Sequence, residues 1–250
     1  MSRFCRRPQR FLEGVGVALA MAVPAHAGEP LTIRQIVDAL RQATITEPAD
    51  FSGRDMSRLD LSGIDFRHAR LKGADLFGSD LSGADFTGAD LAGAKLDRTV
   101  LIHTNFTRAD LSDISLTLPS AFSTIEVKPD EAPIFVGANL RHARILANLA
   151  WSDFSGADMT GIRFSPGRDR VIYVVHTYLT GAKLIGARLV DADLSESFLA
   201  LADLTRADLT GANFQRSDLS SAVFTGAILA STDFGGAKLD GATGGPTLPK

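Results

Sequence analysis

The feature that most constrains this chain is a period of five. Residues 202 to 224 read ADLTRADLTGANFQRSDLSSAVF: a small residue, then usually a carboxylate or amide, then Leu or Phe, then two small or polar residues, and the unit begins again. Five matches neither the 3.6 of a helix nor the 2 of a strand. From Leu179 to Leu239 every fifth residue is Leu or Phe, and the residue two places before each is Ala, Ser or Thr. Strand alternation sends the small residue inward, the next outward and the Leu or Phe inward. The last two residues turn the chain. Each unit is therefore one short edge and a corner. A chain that turns this often winds into a coil whose core is stacked Leu and Phe, with successive coils pairing at about 4.8 Å.

The number of edges per coil follows from longer spacings. Phe66, Phe86 and Phe106 recur at intervals of 20, as do Phe214 and Phe234. At the same interval Lys183 falls beneath Asp203, Arg188 beneath Asp208, Asp218 beneath Lys238 and Asp75 beneath Lys95, while Arg70 lies midway between Asp50 and Asp90. Opposite charges on neighbouring strands are mildly favourable. Asp60 with Asp80 and Asp65 with Asp85 are like pairs at that spacing. Four units per coil is the reading that most of these pairs support.

The stretch ADLFGSDLSGADFTGADLAG (74–93), together with the 202–224 run, resembles the pentapeptide-repeat family. The resemblance covers most of the chain. It implies an all-β fold, a right-handed four-sided parallel β-helix. Roughly 33 units make ~8 coils and a rod of ~40 Å at the strand spacing.

Solenoid ends expose apolar core and need caps. In PLTIRQIVDALRQA (30–43), Thr32 followed by Gln35 forms a capping-box pattern, and Ile33, Ile36, Val37 and Leu40 share one helical face. Residues 28–48 are thus an N-terminal cap with a short helix, leading into repeats over 49–118. Residues 119–137, which include PSAFSTIEVKPDEAPIFVG, break the pattern and read as a projecting insertion or hairpin. Repeats resume over 138–164, with a slip of four rather than five between Ile145 and Leu149. Residues 165–178 are either three degenerate edges or a loop. A last block runs over 179–241. The tail, 242–250, has no helical pattern, so that end is either thinly covered or used to form a homodimer through the C-terminal coil.

Length and charge bound the rest. The first 27 of 250 residues carry Arg3, Arg6, Arg7 and Arg10, the apolar run VGVALAMAV and an Ala25-His26-Ala27 ending. That is the pattern of a secretory signal peptide, cleaved after Ala27, which places the protein in the periplasm or outside the cell. Cleavage removes four of the 26 basic and one of the 29 acidic residues, leaving a net charge of −6, and it removes the single Cys. A mature chain without a thiol has neither disulfides nor thiolate metal ligands. Its acidity argues against phosphate-backbone binding to nucleic acid. No second run is long enough for a membrane span.

Chemistry is sparse. His68, His103, His142 and His176 are spread along the rod at corner positions and lack ligand spacing, while 16 Asp are the outward residues of their units. No metal, cofactor or catalytic residue is assigned. RHAR occurs at 67–70 and again at 141–144, two small basic spots. What stands out is aromatic. The only Trp, Trp151, falls at an outward corner; the only Tyr residues are Tyr173 and Tyr178; Phe122 and Phe135 lie in the first insertion. Exposed aromatics are what interfaces use, and insertions on rigid scaffolds often carry function.

The expectation is a non-enzymatic exported scaffold that binds an unidentified protein. Two other readings stand beside it. Some members of the family it resembles imitate DNA and protect type II topoisomerases such as gyrase, conferring quinolone resistance. The other is an enzyme whose pocket is formed by the insertions.

Overall fold

The protein was analysed as a computed structural model, which describes residues 31–124, 126–164 and 176–245. Isolated parallel bridges join each outward residue to its counterpart one coil on: Asp50 to Arg70, Asp55 to Asp75, Asp60 to Asp80 and Asp65 to Asp85. Four such bridges are made before the chain returns, at Arg70, to the side it started from, so the coil has four sides. They are numbered here in chain order from these four residues.

The repeat exists because five residues satisfy their own five N–H groups. The central residue donates to the next coil, as Phe51 N–H does to the Arg70 carbonyl at 2.7 Å, and the second corner residue does likewise, Gly53 to Lys72 at 2.8 Å. The outward residue donates to the previous coil, Arg70 to Ala49 at 2.9 Å. The small residue closes the turn, Ala69 N–H donating to the Phe66 carbonyl at 3.0 Å. One donor is left, at the first corner. The outward Asp takes it: Asp50 Oδ1 accepts from Ser52 N–H at 2.9 Å, and Asp55, Asp75 and Asp80 accept in the same way from the residue two places on. The outward carboxylate is therefore a turn cap. Hydroxyls at the first corner add to it, with Ser62 donating to Asp60 and Ser220 to Asp218 at 2.6 Å each. Those hydroxyls first, then the backbone N–H, hold both carboxyls below the usual range.

Inside, each side contributes one column. The fourth side holds a continuous ring stack of Phe66, Phe86, Phe106, Phe135 and Phe154, with centroids 4.7 to 5.2 Å apart. The column continues as Leu184 and Leu204, both fully buried. Offset stacks of this kind add to area burial.

The N-terminal end is closed by α1, Ile33–Gln42, whose capping box of Thr32 and Gln35 is formed. Ile36 and Leu31 pack onto the first coil, and Leu31 N–H donates to Asp55.

The interruptions resolve into corner events. Asn105 pairs with Ile134, so the ladder resumes nine places later than a regular coil would bring it. Phe135 then takes its place in the ring stack, so the excursion lies within about 122–131 and is narrower than the 119–137 that the pattern suggests. It leaves between the third and fourth sides. A single 3-10 turn, Pro129–Glu131, closes it. Glu131 ties its base: one carboxylate oxygen accepts from Ser123 N–H at 2.7 Å, the other from the Ser123 hydroxyl at 2.6 Å and Lys128 Nζ at 3.1 Å.

The four-residue step removes one corner residue after Ile145. Short strands β1, Ser115–Thr117, and β2, Arg144–Leu146, pair in parallel across that shortened corner. Asn148 then pairs with Tyr178. That is ten places beyond a regular coil. Residues 165–175 themselves lie outside the described residues.

The register between coils places Lys95 over Asp75 and Lys238 over Asp218, with ion pairs at 3.2 and 3.8 Å. Lys183 is bridged to Asp203 but turns its ammonium the other way, to Asp153 at 3.6 Å.

Two outcomes follow for stability. Phe106→Ala removes the middle of the ring stack and costs about 3–5 kcal/mol, whereas Phe106→Leu costs less than about 1.5 kcal/mol because Leu already fills the same column further on; denaturant midpoints of the two variants check this. The Ser123 hydroxyl and N–H, with Lys128, pull the Glu131 carboxyl down from 4.5 to about 2. A depressed carboxyl stabilises the clamp fully above its ordinary value, and the benefit fades as pH falls from there toward 2. At pH 5 the Ser123 amide is thus protected from hydrogen exchange, and Glu131→Gln cuts that protection roughly tenfold.

Candidate functional site

The second corner residue of each unit has a positive φ, near 55 to 70°. Glycine fills many of these places, and 16 other residues hold the same backbone. Most of those are Arg, His, Asp, Glu or Ser, which reach water. Only three are large and apolar: Leu118, Trp151 and Leu201, exposed by 51, 40 and 56%. Left-handed backbone is unfavourable for bulky residues, and exposing apolar surface adds to the cost.

All three border the third side. Leu118 lies at the corner where the chain enters it, directly beneath the shortened corner at Leu146, to whose carbonyl its N–H donates at 2.9 Å. Trp151 and Leu201 lie at the corner where the chain leaves it. The side between them carries the outward column Asn148, Tyr178, Phe198, Asp218 and Lys238. Tyr178 is 41% exposed, and its ring stacks on Phe198 at 4.9 Å. His176 meets the Phe198 ring edge-on at 5.4 Å, and its Nδ1 lies 3.0 Å from the Glu196 carbonyl. Trp151 is fixed by its N–H to Thr180 at 2.9 Å. Its ring lies over Gly181, where a Cβ would come within 2.6 Å of it. Here a glycine is required by the neighbour as well as by its own φ of 65°.

The aromatic residues singled out in sequence thus separate. Trp151 and Tyr178 come together on one side and its corner. Phe122 is half-buried against the core beside Ala121, at the point where the first excursion departs. Phe135 is 1% exposed and belongs to the ring stack, so its side chain is not available on the surface. Tyr173 lies outside the described residues. Sequence reading missed Phe198, Leu118 and Leu201. The signal was present, since the outward place is normally Asp or Asn and the second corner normally Gly or polar. The first excursion leaves the coil at the corner between this side and the fourth.

His68, His103 and His142 sit on left-handed corners, each on a different part of the rod. Among the described residues, no group of three or more His, Cys, Asp or Glu is placed to hold a metal ion. Two shallow depressions, each about 360 Å³, lie beside α1, around Leu40, Ile45, Pro48 and Arg67, and beside Phe198, Arg216 and Lys238. Arg216 is paired with Glu196 and Lys238 with Asp218. No helix among the described residues is long and apolar enough to cross a membrane.

The family model for pentapeptide repeats matches at residues 49–83, 84–117, 175–211 and 207–243, with eight copies. No curated relative matches the chain in sequence. Among solved structures, HetL, a pentapeptide repeat protein involved in heterocyst differentiation regulation from the cyanobacterium Nostoc, is 23% identical. That alignment covers 85% of this chain and 94% of HetL, with a TM-score of 0.36. A trypsin-treated variant of QnrB1, a plasmid-mediated fluoroquinolone resistance protein, is 20% identical over 78% of this chain and 90% of QnrB1, with a TM-score of 0.43. A pentapeptide repeat protein from the Arabidopsis thaliana thylakoid lumen is 30% identical over 48% of this chain and 68% of its own, with a TM-score of 0.27. With the repeat model matching more than half of its residues, the chain belongs to the pentapeptide-repeat family.

Proposed function

We propose that this protein is a non-enzymatic scaffold, exported by its N-terminal segment, that docks a protein partner on its third side. The observation that carries the reading is the clustering of Leu118, Trp151, Tyr178, Phe198 and Leu201 around one side of a rod whose other outward places are mostly charged or amide. Aromatic anchors of this size dominate protein interfaces. The right-handed winding and the pairing of two copies through the C-terminal coil belong to the same proposal.

A second reading is protection of a type II topoisomerase. In its favour are the carboxylates of the first coils, Asp60 under Asp80 and Asp65 under Asp85, which give one end of the rod closely spaced negative charge. A gyrase supercoiling assay separates the two: unchanged supercoiling and unchanged drug inhibition remove the second reading.

Affinity capture from the cell envelope tests the first reading. The wild-type protein retains a partner that Trp151→Ser and Leu201→Ser each reduce at least roughly tenfold, the loss expected of an interface anchor. Equal capture by both variants, with circular dichroism unchanged, refutes the third side as the docking surface. Deleting 122–130, rather than 119–137, asks the same of the first excursion without removing Phe135 from the core.

A further inference from the structure

Trp151 lies flat against the rod. Three consecutive atoms of its six-membered ring, Cδ2, Cε3 and Cζ3, stand 2.6 to 2.8 Å from the place a Cβ on Gly181 would take. Near-equal distances to consecutive ring atoms put the glycine under the ring face, not at its edge. The indole therefore has its inner face on Gly181 and its outer face toward water, and the residue is 40% exposed. Among the described residues no other aromatic ring packs on Trp151, and the one cation set over a ring is Arg58 on Phe77.

The charge beside this platform is unbalanced. Lys183, two residues beyond Gly181, turns its ammonium back to Asp153 at 3.6 Å. Asp203, the bridge partner of Lys183 on the following coil, is thereby left over. No ion pair among the described residues reaches it. Its Oδ1 accepts from the Thr205 N–H at 3.0 Å, which leaves Oδ2 open to another donor. One coil and two residues separate Gly181 from Asp203, about 8 Å at the strand spacing and rise. Leu201, 56% exposed, follows Gly181 on the same corner and closes the end of the platform.

We propose that the docked partner reads this corner with an arginine, its guanidinium stacked on the outer face of Trp151 and donating to Asp203 Oδ2, while an apolar neighbour packs on Leu201. The inference rests on the docking role given to Trp151 above and names the chemistry that docks there. A guanidinium is planar and weakly hydrated, so it stacks on an aromatic face and still donates in its own plane to a carboxylate. An ammonium is a strongly hydrated point charge and gains less from the ring face. A neutral side chain over the ring would shield Asp203 from water and give it no donor.

Trp151 is the only Trp of the chain, so its emission reports on this site alone. The probes are a capped leucine–arginine–leucine tripeptide and its counterparts with lysine or with citrulline, which keeps the planar group without the charge. The arginine peptide should change Trp151 emission with a dissociation constant of roughly 1 mM, and the other two should bind roughly threefold or more weakly. Asp203→Asn keeps the turn cap, because Asn105 and Asn213 accept from the N–H two residues on at the same place in their units. It should weaken the arginine peptide roughly threefold and leave the citrulline peptide unchanged. Equal binding of the three peptides overturns the proposal, as does no response to any of them up to ~20 mM or an Asp203→Asn variant that binds arginine as the wild type does. Capture of the partner keeps the two readings apart. If Trp151→Ser abolishes capture and Trp151 emission ignores arginine, docking stands and the arginine falls. If emission selects arginine and capture is indifferent to Trp151→Ser, the guanidinium site stands and docking on the third side falls.

Discussion

The structure depends on one closed account of backbone hydrogen bonds. Five residues carry five N–H groups. Three reach neighbouring coils, one closes the turn and one is taken by the outward Asp or Asn. Unpaired backbone donors are expensive to bury, so the length of the unit, the polar residue before each Leu or Phe and the left-handed corner form one solution. The Leu and Phe columns supply the apolar area, but it is the bonding between coils that fixes the register at which those columns stack.

That register explains what the chain tolerates. Extra residues enter only at corners, where they are removed from the ladder before the next edge begins. Nine do so between the third and fourth sides. One corner residue is lost after Ile145. In each case the columns inside stay aligned, and the Phe stack passes the first excursion without a gap. The apolar residues that break the surface rule gather on the side where the first excursion departs.

Much of this was legible in the sequence. The five-residue period, the recurrence of Phe at 20 and the charge pairs sufficed for a four-sided coil, because each side chain repeats its environment. Thr32 and Gln35 sufficed for the start of α1. Edges of the interruptions were less legible. Phe135 follows Pro133 and Ile134 and lacks the small-polar preamble, so it reads as loop; only the ladder from Asn105 to Ile134 shows it to be core. The outward Asp reads as a solvent-facing charge, and its role as a turn cap needs the distance to the N–H two residues on. Lys183 could pair with either neighbour on its column, and its ammonium sits on Asp153. The candidate surface required the third dimension altogether, since Leu118, Trp151, Tyr178 and Leu201 lie far apart along the chain, in four different coils.

The shortened corner at Leu146 carries a mechanical consequence. The coil that contains it is one residue shorter than a regular coil, and that corner has a single residue to take the turn. Its strand extends past the usual single bridge there, the only place among the described residues where two coils zip over more than an isolated bridge. Pulled from its ends or heated, the rod should part elsewhere first.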